Sequence, residues 1–302
     1  VAGAGDVTLG ATGDITVSGS GTVDIQASTG AVVMQINGAD ESVIQTNAGN
    51  VRVSAATAGK NVTLGLVDTR SAADRAGSTL TGQASWGLVS VVSGGSVLDA
   101  DANGAVDVYA QGLRLNAGAG VGVLGGSANV LETEVQQLSA VAVAGVVGLT
   151  DASALEVGTP GSVSWSRVQA DGSLVAGTAD ASQSGVGAAN GSVVLTSGGA
   201  LSVTQAIGLT GTGTVGNLLL QGADTGVTVS AGVSTAGGSV SVVAGAGDVT
   251  LGATGDITVA GSGTVDIQAA QNVSMVNAGA GGTDNETVIS TSGNVSLKAT
   301  AG

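Results

Sequence analysis

The chain of 302 residues contains no cysteine, no histidine and no phenylalanine. Disulfides, thiolate metal centres, histidine-ligated zinc and the Ser-His-Asp and Cys-His arrangements are therefore excluded. It has a single proline, Pro160, and three aromatic residues, Trp86, Tyr109 and Trp165. An ordinary globular core needs large side chains to fill its volume, so this poverty of aromatics points to a narrow core. Basic residues are scarce too: 7 Lys and Arg stand against 22 Asp and Glu, a formal net charge of −15. Such a surface repels nucleic acid phosphates and anionic membranes, which removes both as partners. No run reaches the ~18 consecutive apolar residues of a membrane-spanning helix, so no membrane insertion of this segment is expected. The first residues also lack a basic stretch followed by an apolar one, so any targeting signal lies outside this sequence.

What is present is glycine, 54 residues of it, among 43% hydrophobic residues dominated by Val, Ala, Leu and Ile. Glycine without a three-residue period or abundant proline is not collagen, and the apolar content is too high for a disordered linker. The small and β-branched residues suit strands. One phrase recurs: Gly, a small polar residue, apolar, any, apolar. It occurs as Gly5-Asp6-Val7-Thr8-Leu9, Gly13-Asp14-Ile15-Thr16-Val17, Gly21-Thr22-Val23-Asp24-Ile25, Gly49-Asn50-Val51-Arg52-Val53 and Gly104-Ala105-Val106-Asp107-Val108. The alternation places Val, Ile and Leu on one face of a short strand and polar residues on the other. Gly followed by Asp or Asn is expected to supply the positive-φ or tight-turn position between strands. Strand starts recur every eight or nine residues, as at Val249, Ile257, Val265 and Val273. The order Gly-Asp, rather than the Asp-Gly of hairpin tips, argues against an antiparallel meander. The expected fold is an all-β, parallel, right-handed, three-sided β-solenoid, an elongated rod with roughly 20 to 27 residues per coil.

A longer repeat overlies the short one. Residues 1–27 return as 243–269 with Ser18 against Ala260 as the only mismatch, and Gly49-Asn50-Val51 returns as Gly293-Asn294-Val295. Residues 1–242 thus read as one solenoid unit and 243–302 as the start of the next, continuous with the first. At 20 to 27 residues per coil a unit would hold roughly nine to twelve coils and rise about 45 to 60 Å. Arrays of such similar units make length and surface rather than a unique pocket.

Phrases such as Gly238-Ser239-Val240-Ser241-Val242 and Ser292-Gly293-Asn294-Val295-Ser296-Leu297-Lys298-Ala299 resemble the repeats of filamentous-haemagglutinin-type exoproteins and related giant bacterial surface proteins. The resemblance implies a β-solenoid placed outside the cell, at its surface. The expected function is accordingly a structural segment of an extracellular filament, stalk or sheath, not an enzyme. Expected partners are neighbouring repeat units of the same chain, with self-association into fibres left open. An adhesin presenting loops to a glycan or protein is the first alternative, and a polysaccharide depolymerase the second.

Candidate chemistry is thin. Asp99, Asp101 and Asp107 are the closest carboxylate cluster. Paired carboxylates can cleave a glycan, but a segment of Asp, Ala, Asn and Gly reads as a solvated turn. Corner residues Asp6 and Asp248 could ligate calcium, yet the order Gly-Ala-Gly-Asp does not match the calcium-binding nonapeptide. No catalytic residue, metal ligand or cofactor is expected. Trp86 and Trp165 are candidate lateral contacts, placed outside the narrow tube and either packed under a loop or facing a partner. The polar segment 71–81 reads as a lateral loop, and Pro160 marks a turn. Residues 131–142 admit two readings. Leu131, Val135, Leu138 and Ala142 have helical spacing, while the strand-like composition that resumes at Val141-Ala142-Val143 and Val146-Val147-Gly148-Leu149 favours a strand.

Overall fold

The computed structural model describes all residues except 78–81, 83, 102, 126–128, 212–215, 278–286 and 302. The chain winds as a three-sided parallel β-solenoid. One face is a single column of stacked positions, Val7, Val32, Val62, Val97, Val121, Val147, Val193, Leu218, Val240, Val265 and Val295. On another, Ile25, Val53, Val91, Leu115, Ala140, Val186, Ile207, Val233, Ile257 and Ile289 stack in the same way. In the early coils a third ladder carries Ile15, Ile44, Val67 and Val108 and runs on through Thr133 to Asp151, in the strand that begins at Val147. In the late coils the third side is a separate ladder, Leu155, Leu201, Val227, Val249 and Val273, whose first strand pairs through Glu156 and Val157 with Gln137 and Leu138. Antiparallel pairing among the described strands is confined to two lateral hairpins, Ile36–Asn37 with Asp40–Glu41 and Ser166–Val168 with Leu174–Ala176.

The core is the aliphatic tube that the composition implies. Its buried members are Val, Ile, Leu and Ala with the single Met34, and no aromatic ring is among them. Leu9, Val23 and Ile25 are buried, Val7, Ile15 and Val17 pack partly buried against the core, and Thr8 and Thr16 point outward. The strand Leu131–Ala142 accounts for the ambiguous spacing. Leu131, Val135, Leu138, Ala140 and Ala142 belong to the aliphatic core, with the half-buried Gln136 and Gln137 between the two runs. An extended strand whose inward phase shifts at these glutamines reproduces the spacing 131, 135, 138, 142 of a helix.

The expected positive φ is found at Gly5, φ 96°, but other corners work by a different mechanism. The recurring glycines at 191, 216, 238, 263 and 293 do not have positive φ. They stack: a Cβ on Gly191 would sit 2.1 Å from the Gly145 carbonyl oxygen, on Gly238 1.9 Å from that of Gly216, and on Gly293 2.3 Å from that of Gly263. Successive coils approach so closely there that no side chain fits. The polar residue next to the corner then bridges coils. Asp6 Oδ1 accepts the Ala31 N–H at 2.8 Å, Asp14 Oδ1 the Val43 N–H at 3.0 Å, Asn50 Oδ1 the Leu88 N–H at 3.0 Å and Asp248 Oδ1 the Asn272 N–H at 2.9 Å. These side chains satisfy backbone donors at breaks in the ladder, where no strand partner is available.

Coil length is uneven. Leu218 and Val240 stack 22 residues apart, but Val147 and Val193 stack 46 residues apart, because residues 158–185 leave the wall and return. Between strands Leu66–Asp68 and Leu88–Ser93 the described residues likewise include the short helix Ala72–Ala76, outside the wall. Insertions consume residues without axial rise, so the unit holds fewer coils than expected. From Val7 the column takes eight steps to Val240, and Val249, the counterpart of Val7, lies one face beyond. The near-identical copies are therefore eight and a third coils apart, about 40 Å at ~4.8 Å per coil. Strand Val7–Leu9 belongs to the face that later contains Val240–Ala244, while its copy in Asp248–Leu251 belongs to the next face. Strand Val240–Ala244 crosses residue 242 without interruption. Ser18 and Ala260 are both exposed, so the one mismatch disturbs no buried partner.

Candidate functional site

Three polar assemblies stand out on the wall. The first lies beside the short helix Ala72–Ala76. Asp68, buried at the end of its strand, accepts bonds from Arg70 at 2.7 to 3.1 Å and from Arg75 at 3.4 Å. Arg70 lies over the Tyr109 ring at 3.7 Å, and Tyr109 meets Trp86 edge to face at 6.2 Å. Trp86 donates from Nε1 to Asp74 Oδ2 at 2.9 Å, where Asp74 belongs to the short helix Ala72–Ala76 capped by Ser71. Trp86 is only 3% exposed and outside the aliphatic core, so it is packing beneath the loop and has no surface to offer a partner. The loop expected over 71–81 thus begins with a helix; residues 78–81 lie outside the described residues.

The second assembly holds residues 163–181 against the wall. Asp24, Arg52, Ser90 and Arg114 stack outward on consecutive strands. Asp180 accepts from Arg52 Nε at 3.1 Å and from Ser90 Oγ at 2.7 Å, and Arg167 pairs with Asp24 and donates to Gln26 at 2.8 Å. Trp165, partly buried, is flanked by the guanidinium groups of Arg52 at 5.1 Å and Arg167 at 4.8 Å, a cation–π arrangement. Its ring lies against Gly177, where a Cβ would sit 2.1 Å away. Both tryptophans therefore fasten lateral insertions. The hairpin they support presents Val168, Leu174 and Val175 outward, with Leu174 70% exposed.

The third assembly is acidic and lies at the corner after strand Val97–Asp99. One carboxylate oxygen from each of Asp99, Asp107 and Glu132 lies within 4.8 Å of the others. Asp107 is 2% exposed and Glu132 6% exposed. The solvated turn expected of the Asp, Ala, Asn and Gly segment fits Asp101, whose Oδ1 accepts the Asn103 N–H at 2.9 Å. Asp107 was expected as the outward polar residue of a strand from Val106 to Val108, and that expectation is corrected, because the strand begins at Val108. Asp107 is left in the corner, where Oδ2 accepts the Glu132 N–H from the next coil at 2.9 Å. Glu132 escaped sequence reasoning because it is 25 residues from Asp107, and the coil length that stacks them is set by the fold.

No protein cation offsets these charges: the five ion pairs among the described residues involve Asp24, Asp68 and Asp180. Burial, reinforced by the charge on Asp99, pushes the Asp107 carboxyl up to about 9. Burial followed by the charges of Asp99 and Asp101 pushes Glu132 up to about 7. Burial also raises Asp99, and raises Glu41 on the same corner with help from Asp101 and Asp99. Asp99 Oδ2 and Glu132 Oε2 are buried without a hydrogen-bond partner. Such a site is stable only with protons or a cation bound. Nearby, Asp151 is buried and accepts from Thr133 Oγ1 and the Val135 N–H, both at 2.9 Å, and burial pushes it up to about 7.

Compared with known protein families, curated proteins and solved structures, the chain matches none.

Proposed function

We propose that the chain is a structural segment of an extracellular filament, stalk or sheath built by a giant tandem-repeat bacterial surface protein of the filamentous-haemagglutinin type. The observation that carries this reading is the placement of the two near-identical segments in one unbroken ladder. On different faces, each copy makes the same bridges between coils: Asp6 and Asp248 to the coil after them, and Asp14 and Asp256 likewise. A unit that fits its neighbour on any face can be added repeatedly, and its product is length. Stiffness follows from parallel ladders and a continuous aliphatic core along the axis, which must strain together when the rod bends.

The other features agree with a mechanical role. All three aromatics fasten insertions instead of lining a cleft for sugars. The exposed apolar hairpin residues Val168, Leu174 and Val175 favour the adhesin reading as the second choice. Immunogold labelling of intact source cells with an antibody against this segment tests the proposal. Label distributed along structures projecting from the envelope is expected; label confined to the cytoplasm overturns it.

A further inference from the structure

We propose that Asp99, Asp107 and Glu132 form a binding site for one divalent calcium-like cation that ties two successive coils together. The inference is independent of the filament reading. Three carboxylates converge, one oxygen from each lying within 4.8 Å of the others. Two oxygens on one calcium ion, each at about 2.3 to 2.6 Å, stand at most about 5.2 Å apart, so the spacing suits a shared ion of that size. Glu132 is 6% exposed and its Oε2 lacks any hydrogen-bond partner, as does the buried Asp99 Oδ2. A buried carboxylate oxygen with no donor is a ligand in search of a cation or a proton.

The surroundings favour the cation. Every donor in the cluster is a hard oxygen, which excludes soft-metal chemistry and suits calcium above zinc. Asp101 and Glu41 add negative charge from the same corner, attracting a cation while making proton-free apposition of the carboxylates costly. The arrangement is also anchored. Asp107 is fixed by the Glu132 N–H at 2.9 Å and Asp99 by the Asp101 N–H at 2.8 Å through its Oδ1, which leaves Asp99 Oδ2 without a partner. Val108 stacks on Thr133, so Asp107 and Glu132 belong to adjacent coils and an ion between them clamps the corner.

The test uses the full chain, stripped with a chelator and titrated calorimetrically with calcium chloride, with magnesium chloride in parallel. One calcium per chain is expected, with weaker binding of magnesium, whose shorter bonds demand a tighter octahedron. A hundredfold excess of calcium over Kd should raise Tm by roughly 5 °C. Glu132→Gln should weaken binding at least tenfold, and Asp99→Asn, at the more exposed edge, provides a second variant if the first folds poorly. Absence of binding heat and of any Tm shift up to millimolar calcium would mean that protons alone neutralise the corner, and overturns the proposal. So does a Tm shift of equal size in the wild type and both variants, which would report general screening.

Discussion

Asp151 is a carboxyl group with three hydrogen-bond donors around it and almost no water. Its pKa is raised from 3.8 to about 7, first by burial and then by the facing charge of Glu134, against the lowering effect of bonds from Val135, Thr133 and Ser153. The folded state therefore holds a proton that the unfolded chain releases near pH 4. The stability this group contributes is fully present below about pH 4 and is lost as pH rises towards about 7, by at most ~1.4 kcal/mol per pH unit. In calcium-free buffer, Tm should fall across that window. Asp151→Asn should flatten the slope, and an unchanged slope in the variant would show that Asp151 is not the titrating group. None of this was legible in the sequence. Asp151 occurs in a run of Val, Gly, Leu and Thr that identifies a strand, but its depth depends on which coil lies above it.

At the scale of elements, the strand pattern was readable and the corners were not. Alternation alone correctly orients Val23, Ile25 and Asp24, because a period of two leaves no third choice. The stacked corner glycines look in sequence like turn formers, yet their requirement is the approach of one coil to the next, a contact 22 to 46 residues away in the chain. Gly238→Ala should separate two coils and destabilise the protein by several kcal/mol. Gly10→Ala, with open space around the new methyl, should leave Tm within a degree or two. Equal effects of the two substitutions in thermal unfolding would remove stacking as the reason for the glycines. Ile257→Asp should also cost several kcal/mol, since it places an unpaired charge in the aliphatic tube. The tryptophans make the opposite prediction. Trp165→Ala should loosen residues 163–181 from the wall, seen as faster proteolysis there, while the strands keep their protection from hydrogen exchange. If the strands lost protection together with the insertion, the hairpin would be part of the core.

For the whole molecule the central claim is that this sequence makes a rod by adding coils, with each copy of the unit displaced by one face. The long repeat was visible as letters, but its geometry was not. The 242-residue spacing converts to eight and a third coils only when the helix Ala72–Ala76 and the insertion at 158–185 are known not to climb the axis. A third of a turn per unit has a consequence for any tandem array: the lateral insertions of successive units follow a three-start pattern around the rod, and the register is restored after three units. The most direct measurement is fibre diffraction, or helical image analysis, of a chain carrying many consecutive units. The account predicts a ~4.8 Å meridional spacing from the stacked coils, a unit rise of about 40 Å with a rotation near one third of a turn, and a full repeat of about 120 Å. Antiparallel hairpin modules, or units related by translation without rotation, would contradict it.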